Sequence, residues 1–341
     1  MPSAPVDDPQ EKAPRIWTRL WRRGLAAVAV GTAAASLAGW LGARWLWACE
    51  LACHFRVQYA WLLALCSLAY LVRRRYRPAA LLAAIAVANL AVVLPLYQSA
   101  ERSEPAQPPL RLLSCNVLMT NHKFDPLLSL LRQAQPDFFA LMEVDRRWIA
   151  ALEATHEAYP YSHHLLQGGR FGIAIYSRRP WERIDELWMG SHHAPVLRAQ
   201  FLIDGRPLVV YCTHTMSPAT RWQAAQRNLE LIDLAQMIAN ERDPVVLAGD
   251  LNTTGWSPWF SDLLQTARLR DSRQGFGVQA SWPAPFMLLG IPIDHCLISP
   301  EIQVSDRRLG PRVGSDHLPI VVDFGLPPAA APSAGLPTTP R

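Results

Sequence analysis

Three apolar runs in the first hundred residues, about Gly24 to Leu41, Val57 to Val72 and Pro78 to Tyr97, limit what this chain can become more than any other feature. A helix needs roughly 17–25 such residues to cross about 30 Å of hydrocarbon, and only the middle run falls short of that length. Trp17, Trp21, Trp40, Trp45, Trp47 and Trp61 sit at or near the run ends, where indole rings favour the membrane interface. The expectation is an anchor over residues 1–98 with three transmembrane helices at about 24–43, 55–72 and 78–97. Residues 1–100 carry 11 Lys and Arg against 4 Asp and Glu, while the remainder carries 22 against 24, so the excess of +5 belongs to the anchor. The cations precede the first run (Lys12, Arg15, Arg19, Arg22, Arg23) and separate the second from the third (Arg73, Arg74, Arg75, Arg77). Positive loops stay cytoplasmic. The N-terminus is therefore expected inside and the rest of the chain outside. A cleaved signal peptide is disfavoured because two further runs follow without a cleavage site. Two spans alone would leave Arg73 to Arg77 outside, against the charge rule.

After a polar, Pro-rich linker at 99–109 the pattern changes to short apolar runs bounded by Pro, Gly or Asp, which read as buried strands. Their ends carry reactive side chains. Val245 to Asn252 delivers Asp250 and Asn252; Leu110 to Asn116 ends in Asn116; the run from Phe138 ends in Glu143. Pro207 to Thr215 holds His214, the run around Ile293 holds Asp294, and Asp316 and His317 precede the last strand. A single Asn or His at a strand edge is ordinarily a turn residue, and Glu143 alone would pair with Arg146 or Arg147 on the surface. Six such sites in one domain exceed that reading. Carboxylates suit a hard cation, and amide and imidazole donors suit phosphoryl oxygens.

Helical periodicity over Phe124 to Arg132 and Ala219 to Asn240 alternates with the strands, so the domain is α/β. The longer helix is expected to bury Leu229, Ile232, Leu234, Met237 and Ile238. Cys115, Cys212 and Cys296 lie in apolar context and read as buried free thiols. The catalytic domain is expected over 110–325, with a disordered Pro- and Ala-rich tail at 326–341.

The order Asn116, Glu143, His214, Asp250-x-Asn252, Asp294, Asp316-His317, with the hairpin from Gly168 to Pro180, resembles the endonuclease/exonuclease/phosphatase superfamily. The resemblance spans roughly Leu110 to Phe324. It departs from the pattern at Met142, where relatives often carry Gln, and no acid near Gly168 to Phe171 stands ready to pair with His214. The resemblance implies two packed β-sheets flanked by helices, a four-layer α/β sandwich with its site at one end. It further implies a Mg2+ (or Mn2+) held by Glu143, Asn116 and Asp316. His317 would contact the scissile phosphate while oriented by Asp294. Asp250 would take part in proton transfer with the attacking water, and Asn252 and His214 would donate to phosphoryl oxygens. The resemblance and composition together imply a multi-pass protein of a bacterial inner membrane, its catalytic domain on the periplasmic side.

Two substrate partners follow, a lipid head group or a nucleic acid. The domain outside the anchor is slightly acidic and its basic residues come in short groups such as Arg178-Arg179 and Arg307-Arg308, so charge does not favour DNA. Tethering to a bilayer favours lipid. A non-catalytic binding module should have lost one of the site residues, and all are present. A transporter should carry a partnered acid or base in its apolar runs, and none is legible there, so the runs are expected to anchor only.

Overall fold

The protein is described here by a computed structural model that covers residues 9–98 and 109–327, with side chains from residue 19 onward. The linker expected at 99–109 and the tail expected at 326–341 lie outside the described residues, apart from their innermost positions. The chain divides into two compact units, Met1–Val93 and Leu94–Arg341.

The first unit is helical: α1 (Pro9–Leu41), α2 (Trp47–Cys53), α3 (Arg56–Val72) and α4 (Tyr76–Val93). Two stretches, Arg19–Leu41 and Tyr76–Tyr97, are long and apolar enough to cross a membrane. A third exists if α2 and α3, which meet at 73°, form one bent span. The middle run is the short one because α3 has 17 residues of its own. The unit also corrects one expectation. Its helices do carry partnered polar groups: the buried Arg56 guanidinium donates to the Ser36 carbonyl and to Asn89 Oδ1, each at 3.3 Å, and Asn89 Nδ2 donates to Ser36 Oγ at 2.8 Å. The partners come from α1, α3 and α4, so the cluster appears only when the helices pack. Interhelical polar contacts of this kind hold membrane helices together as well as serving transport, and here they bind the unit internally.

In the second unit short apolar runs extend because both of their faces are covered. The strands are β1 (Leu110–Asn116), β2 (Phe138–Met142), β3 (Tyr161–Leu165), β4 (Ile173–Ser177), β5 (Arg183–Met189), β6 (Ala194–Ile203), β7 (Arg206–His214), β8 (Val245–Asp250), β9 (Arg270–Asp271), β10 (Asp294–Ile298), β11 (Gln303–Leu309) and β12 (Ile320–Gly325). They form two six-stranded sheets, ordered β11-β12-β1-β2-β4-β3 and β5-β6-β7-β8-β10-β9. Only β1–β2 and β7–β8 pair in parallel. The helices are α5 (Asp125–Ala134), α6 (Arg146–Leu152), α7 (Arg221–Ala239) and α8 (Pro258–Ala267). One core lies between the sheets, around Phe138, Phe201, Val210, Val246 and Phe324. A second packs α5 and α6 on the first sheet, and a third packs α7 and α8 on the other. This is the expected four-layer sandwich.

α7 departs from the expected burial. Leu229 and Ile232 are exposed, while Leu231, Leu234, Ala235 and Ile238 face the core with Arg227 and Glu230. The apolar pattern alone could not locate the buried stripe, since two polar residues complete it. The thiols match expectation: Cys115, Cys212 and Cys296 are free and buried. Burial pushes Cys212 and Cys296 up to about 12, so neither is a nucleophile near neutral pH.

Glycine is required where strands converge toward one end. A Cβ on Gly249 would lie 2.1 Å from the Thr213 carbonyl oxygen of β7, a contact that neither backbone can relieve. Gly249→Ala is expected to destabilise the full chain by about 2–3 kcal/mol, as overpacking of this kind does, read as a lowered unfolding midpoint. An unchanged midpoint would contradict the close approach.

Candidate active site

Strand register assembles the site. In the second sheet His214 lies beside Asp250 in the β7–β8 pairing, and Asp250 lies directly opposite Asp294 in the β8–β10 pairing. Three reactive side chains thus stand in a row across three neighbouring strands. In the first sheet Asn116 ends β1, and Glu143 follows β2 immediately. Asp250 Oδ2 is the meeting point: Asn116 Nδ2 donates to it at 3.1 Å, His214 Nε2 is 3.5 Å away and His317 Nε2 3.7 Å.

Two of these residues hold backbone conformations that few non-glycine residues adopt. Glu143 has φ 60° and Asn252 φ 47°. The turn at Asn252, rather than strand alternation, brings it beside Asp250, because β8 ends at Asp250. Asp250 Oδ1 accepts from the Asn252 N–H at 2.9 Å, and the wholly buried Arg227 donates to the Asn252 carbonyl at 2.7 Å. His295 Nε2 donates to the next carbonyl, Thr253, at 2.8 Å. These bonds hold a conformation that costs about 1–3 kcal/mol by itself.

On the other side Glu143 accepts from Asn116 Nδ2 at 3.2 Å and from the Met119 N–H at 3.1 Å. It forms no ion pair with Arg146 or Arg147 among the described contacts; Arg147 pairs with Asp145 instead. Asp316 stands apart from that pair. Its Oδ2 accepts from the Trp282 indole at 3.1 Å, and its Oδ1 is buried with no hydrogen-bond donor among the described residues. Asp294 Oδ1 is in the same condition.

His317 Nδ1 donates to Asp294 Oδ2 at 2.8 Å, which leaves Nε2 facing Asp250. Burial favours the neutral ring, but the Asp294 and Asp250 carboxylates outweigh it and hold His317 well above its ordinary value. Burial raises Asp250, yet the charge of His317, then the His214 contact and the Asn252 N–H, bring it below the usual carboxylate range. Asp294 remains above that range, because burial and the Asp250 charge exceed the pull of His317. His214 is buried, which lowers it; Asp250, Glu143 and the Arg170 carbonyl together raise it above its ordinary value. Among the described residues no acid hydrogen-bonds to this ring on its far side. The Arg170 backbone carbonyl does so, accepting from Nδ1 at 3.0 Å, while Asn252 Nδ2 sits 3.2 Å from Nε2.

All eight residues singled out in the sequence occur in this region: Asn116 joins Glu143 to the group around Asp250, while Asp316 is held separately by Trp282. Among the described residues, one cluster of acid and imidazole atoms is compact enough for a cation by distance alone: Asp250, Asp294 and His317, within 4.8 Å of one another. It shares no residue with the set Glu143, Asn116 and Asp316. Because His317 Nδ1 is spent on Asp294, the ring offers that trio only its Nε2 atom. Sequence reasoning missed Arg227, His295, the Arg170 carbonyl and Trp282. Arg227 had one legible signal, a cation placed at helical spacing between the buried Ala224 and Leu231.

A family model described as Endonuclease/Exonuclease/phosphatase family matches residues 113–317. Among solved structures, the human Nocturnin catalytic domain with bound sulfate is similar at 17% identity and TM-score 0.55, covering 66% of this chain and 97% of that one. D. rerio TDP2 complexed with a single-strand DNA product is similar at 18% and 0.54, covering 64% and 100%. An endonuclease/exonuclease/phosphatase from Beutenbergia cavernae is similar at 21% and 0.51, covering 65% and 73%. These likenesses show the fold. No curated protein matches the chain in sequence.

Arg227→Met should release the Asn252 turn and lower kcat on phosphate esters at least ~10-fold, with KM moved less and the unfolding midpoint recorded alongside. Unaltered kcat would remove Arg227 from the account.

Proposed function

Because the chain belongs to the Endonuclease/Exonuclease/phosphatase family, whose members hydrolyse phosphate esters, we propose that it is a membrane-anchored, divalent-metal-dependent phosphodiesterase acting through an activated water. The observation that carries this reading is the convergence of Asn116, His214 and His317 on Asp250 Oδ2, with Asp294 behind His317. That arrangement has an ionised carboxylate beside protonatable donors, the pairing that acid–base hydrolysis needs.

The donor set fits a hard cation. Four carboxylates, Glu143, Asp250, Asp294 and Asp316, occur here with only two imidazoles to offset them, and among the described residues Asp294 Oδ1 and Asp316 Oδ1 have no hydrogen-bond donor. Glu143, Asn116 Oδ1 and Asp316 would hold Mg2+, or Mn2+ in its place, by oxygen ligands. When bound, the ion polarises the phosphoryl oxygen and offsets charge on the leaving group. The chain's own residues do the rest. Asp250, kept ionised, accepts a proton from the attacking water. His317, kept protonated by Asp294, donates from Nε2 toward the phosphate. Asn252 and His214 donate to phosphoryl oxygens as negative charge accumulates there. His214 suits that role as an imidazolium, which Asp250 and Glu143 favour: the Arg170 carbonyl takes its Nδ1 proton and the Nε2 proton faces the site.

The charge pattern supports a location on the outer face of a bacterial inner membrane: the cationic segments at residues 12–23 and 73–77 would stay cytoplasmic, and with α2 and α3 counted as a third span the catalytic domain would lie opposite. A lipid phosphodiester is the substrate class that this tethering favours. The second reading, a nucleic-acid phosphodiester, draws on the single-strand DNA product held by D. rerio TDP2. A binding module without catalysis is disfavoured by the complete inventory of site residues.

The test offers the full chain, with Mg2+, mixed phospholipid vesicles and supercoiled plasmid in parallel. Head-group release reduced at least ~100-fold by Asp250→Asn is the expected result. Plasmid nicking that Asp250→Asn abolishes would transfer the enzyme to nucleic acid, and near-wild-type turnover in the variant would overturn the mechanism.

A further inference from the structure

The segment between β9 and β10 contains a loop for which the catalytic machinery has no use. Residues 285–289 are exposed side by side and all are apolar. Phe286 is 69% exposed, Met287 40%, Leu288 93% and Leu289 59%. Isolated apolar residues on a surface are ordinary, whereas a contiguous group marks a surface that meets something. From Ser281 to Ile293 no side chain is ionisable, so no charge in the loop resists leaving water.

The base of the loop is fixed to the site. Trp282 and Ile291 bridge the two arms in antiparallel fashion. The Ala284 N–H donates to the Asp316 carbonyl at 2.7 Å, and the Trp282 indole donates to Asp316 Oδ2. Ser281 Oγ accepts from the Asp294 N–H at 3.2 Å, and the Leu318 N–H donates to the Ser281 carbonyl at 2.9 Å. The apolar tip and the residues around the reacting phosphate are thus parts of one bonded assembly. At its edge the exposed Arg312 donates to the Ala284 carbonyl at 2.6 Å, which stations a guanidinium beside the apolar tip. An apolar tip rimmed by a cation suits the interface of a bilayer, where acyl chains take the first and lipid phosphates the second.

The rest of the chain names the occupant. It carries two or three stretches able to cross a membrane, so a bilayer is always at hand, and a linker of eleven residues reaches at most about 40 Å. We propose that the loop Pro285 to Leu289 inserts into the interface of that bilayer and brings the site onto a phosphate ester carried by a membrane lipid. The proposal rests on the phosphoesterase reading above and narrows it to substrate presented by the membrane.

The test uses the full chain in vesicles of phosphatidylcholine and phosphatidylglycerol. Leu288→Cys carries an environment-sensitive fluorophore, and Arg183→Cys on the exposed side of β5 is the control; unsubstituted chain gives the background from native thiols. Acyl-chain nitroxide lipids should quench the label at position 288, with a blue shift, and leave the label at 183 at background. In parallel, the double variant Phe286→Asp, Leu288→Asp should lose head-group release at least ~10-fold while turning over soluble bis(p-nitrophenyl) phosphate like wild type. Absence of quenching at 288 overturns the proposal, and soluble turnover that still depends on Asp250 would leave the phosphoesterase reading standing. Emission that follows protein concentration and ignores lipid assigns the loop to a second copy, and overturns the proposal as well. If wild type cleaves neither ester, the phosphoesterase reading falls and the substrate assignment falls with it, whatever the fluorescence shows.

Discussion

Asp250 and Asp294 face one another across adjacent antiparallel strands, and the imidazole of His317 lies against both. Directly opposed like charges repel at a separation of about 4.5–5.5 Å, and burial of both would ordinarily drive one to neutrality. The cation supplied by His317 makes the pair tenable. It comes from the turn before β12 in the other sheet, so the two sheets are joined at this point by charge as well as by their shared apolar core. Ser315 serves the same junction: its hydroxyl donates to the Asn116 carbonyl at 2.7 Å and accepts from the His317 N–H at 3.0 Å.

The remaining geometry follows from holding that pair at the sandwich's end. Asp250 must point at Asn116 and His214 while its chain turns away, and the turn at Asn252 does this at the cost of a left-handed φ. Arg227 and His295 stabilise the turn from beneath, each through a carbonyl. His295 can serve only as a neutral donor there; burial and the nearby Arg273 bring its pKa down to about 3.

The sequence made the site-bearing strands and their reactive ends legible because β1, β2, β7, β8 and β10 are buried on both faces, with their reactive residues at the strand ends. It could not show which strands neighbour one another, so the opposition of Asp250 and Asp294 was hidden until β8 and β10 paired. Helix α7 was misread for a related reason. Leu229 and Ile232 look like core in a periodicity argument, but Arg227 and Glu230 take core positions because the loops after β7 and β8 require hydrogen bonds: the Met216 N–H goes to Glu230 and the Asn252 carbonyl to Arg227. The polar cluster of Ser36, Arg56 and Asn89 escaped notice because its members lie on three separate helices. The chemistry of His214 was incomplete in the sequence, since its partner is a backbone carbonyl that any residue at position 170 would supply.

The proposed function requires that a divalent cation join the buried carboxylates beside Glu143. The direct measurement is the unfolding midpoint of the full chain with excess Mg2+ and with chelator, compared with Glu143→Gln. The account predicts that Mg2+ raises the wild-type midpoint, as ligands of the folded state do, and that Glu143→Gln loses most of the shift. An equal shift in both proteins, or none in wild type, would contradict it.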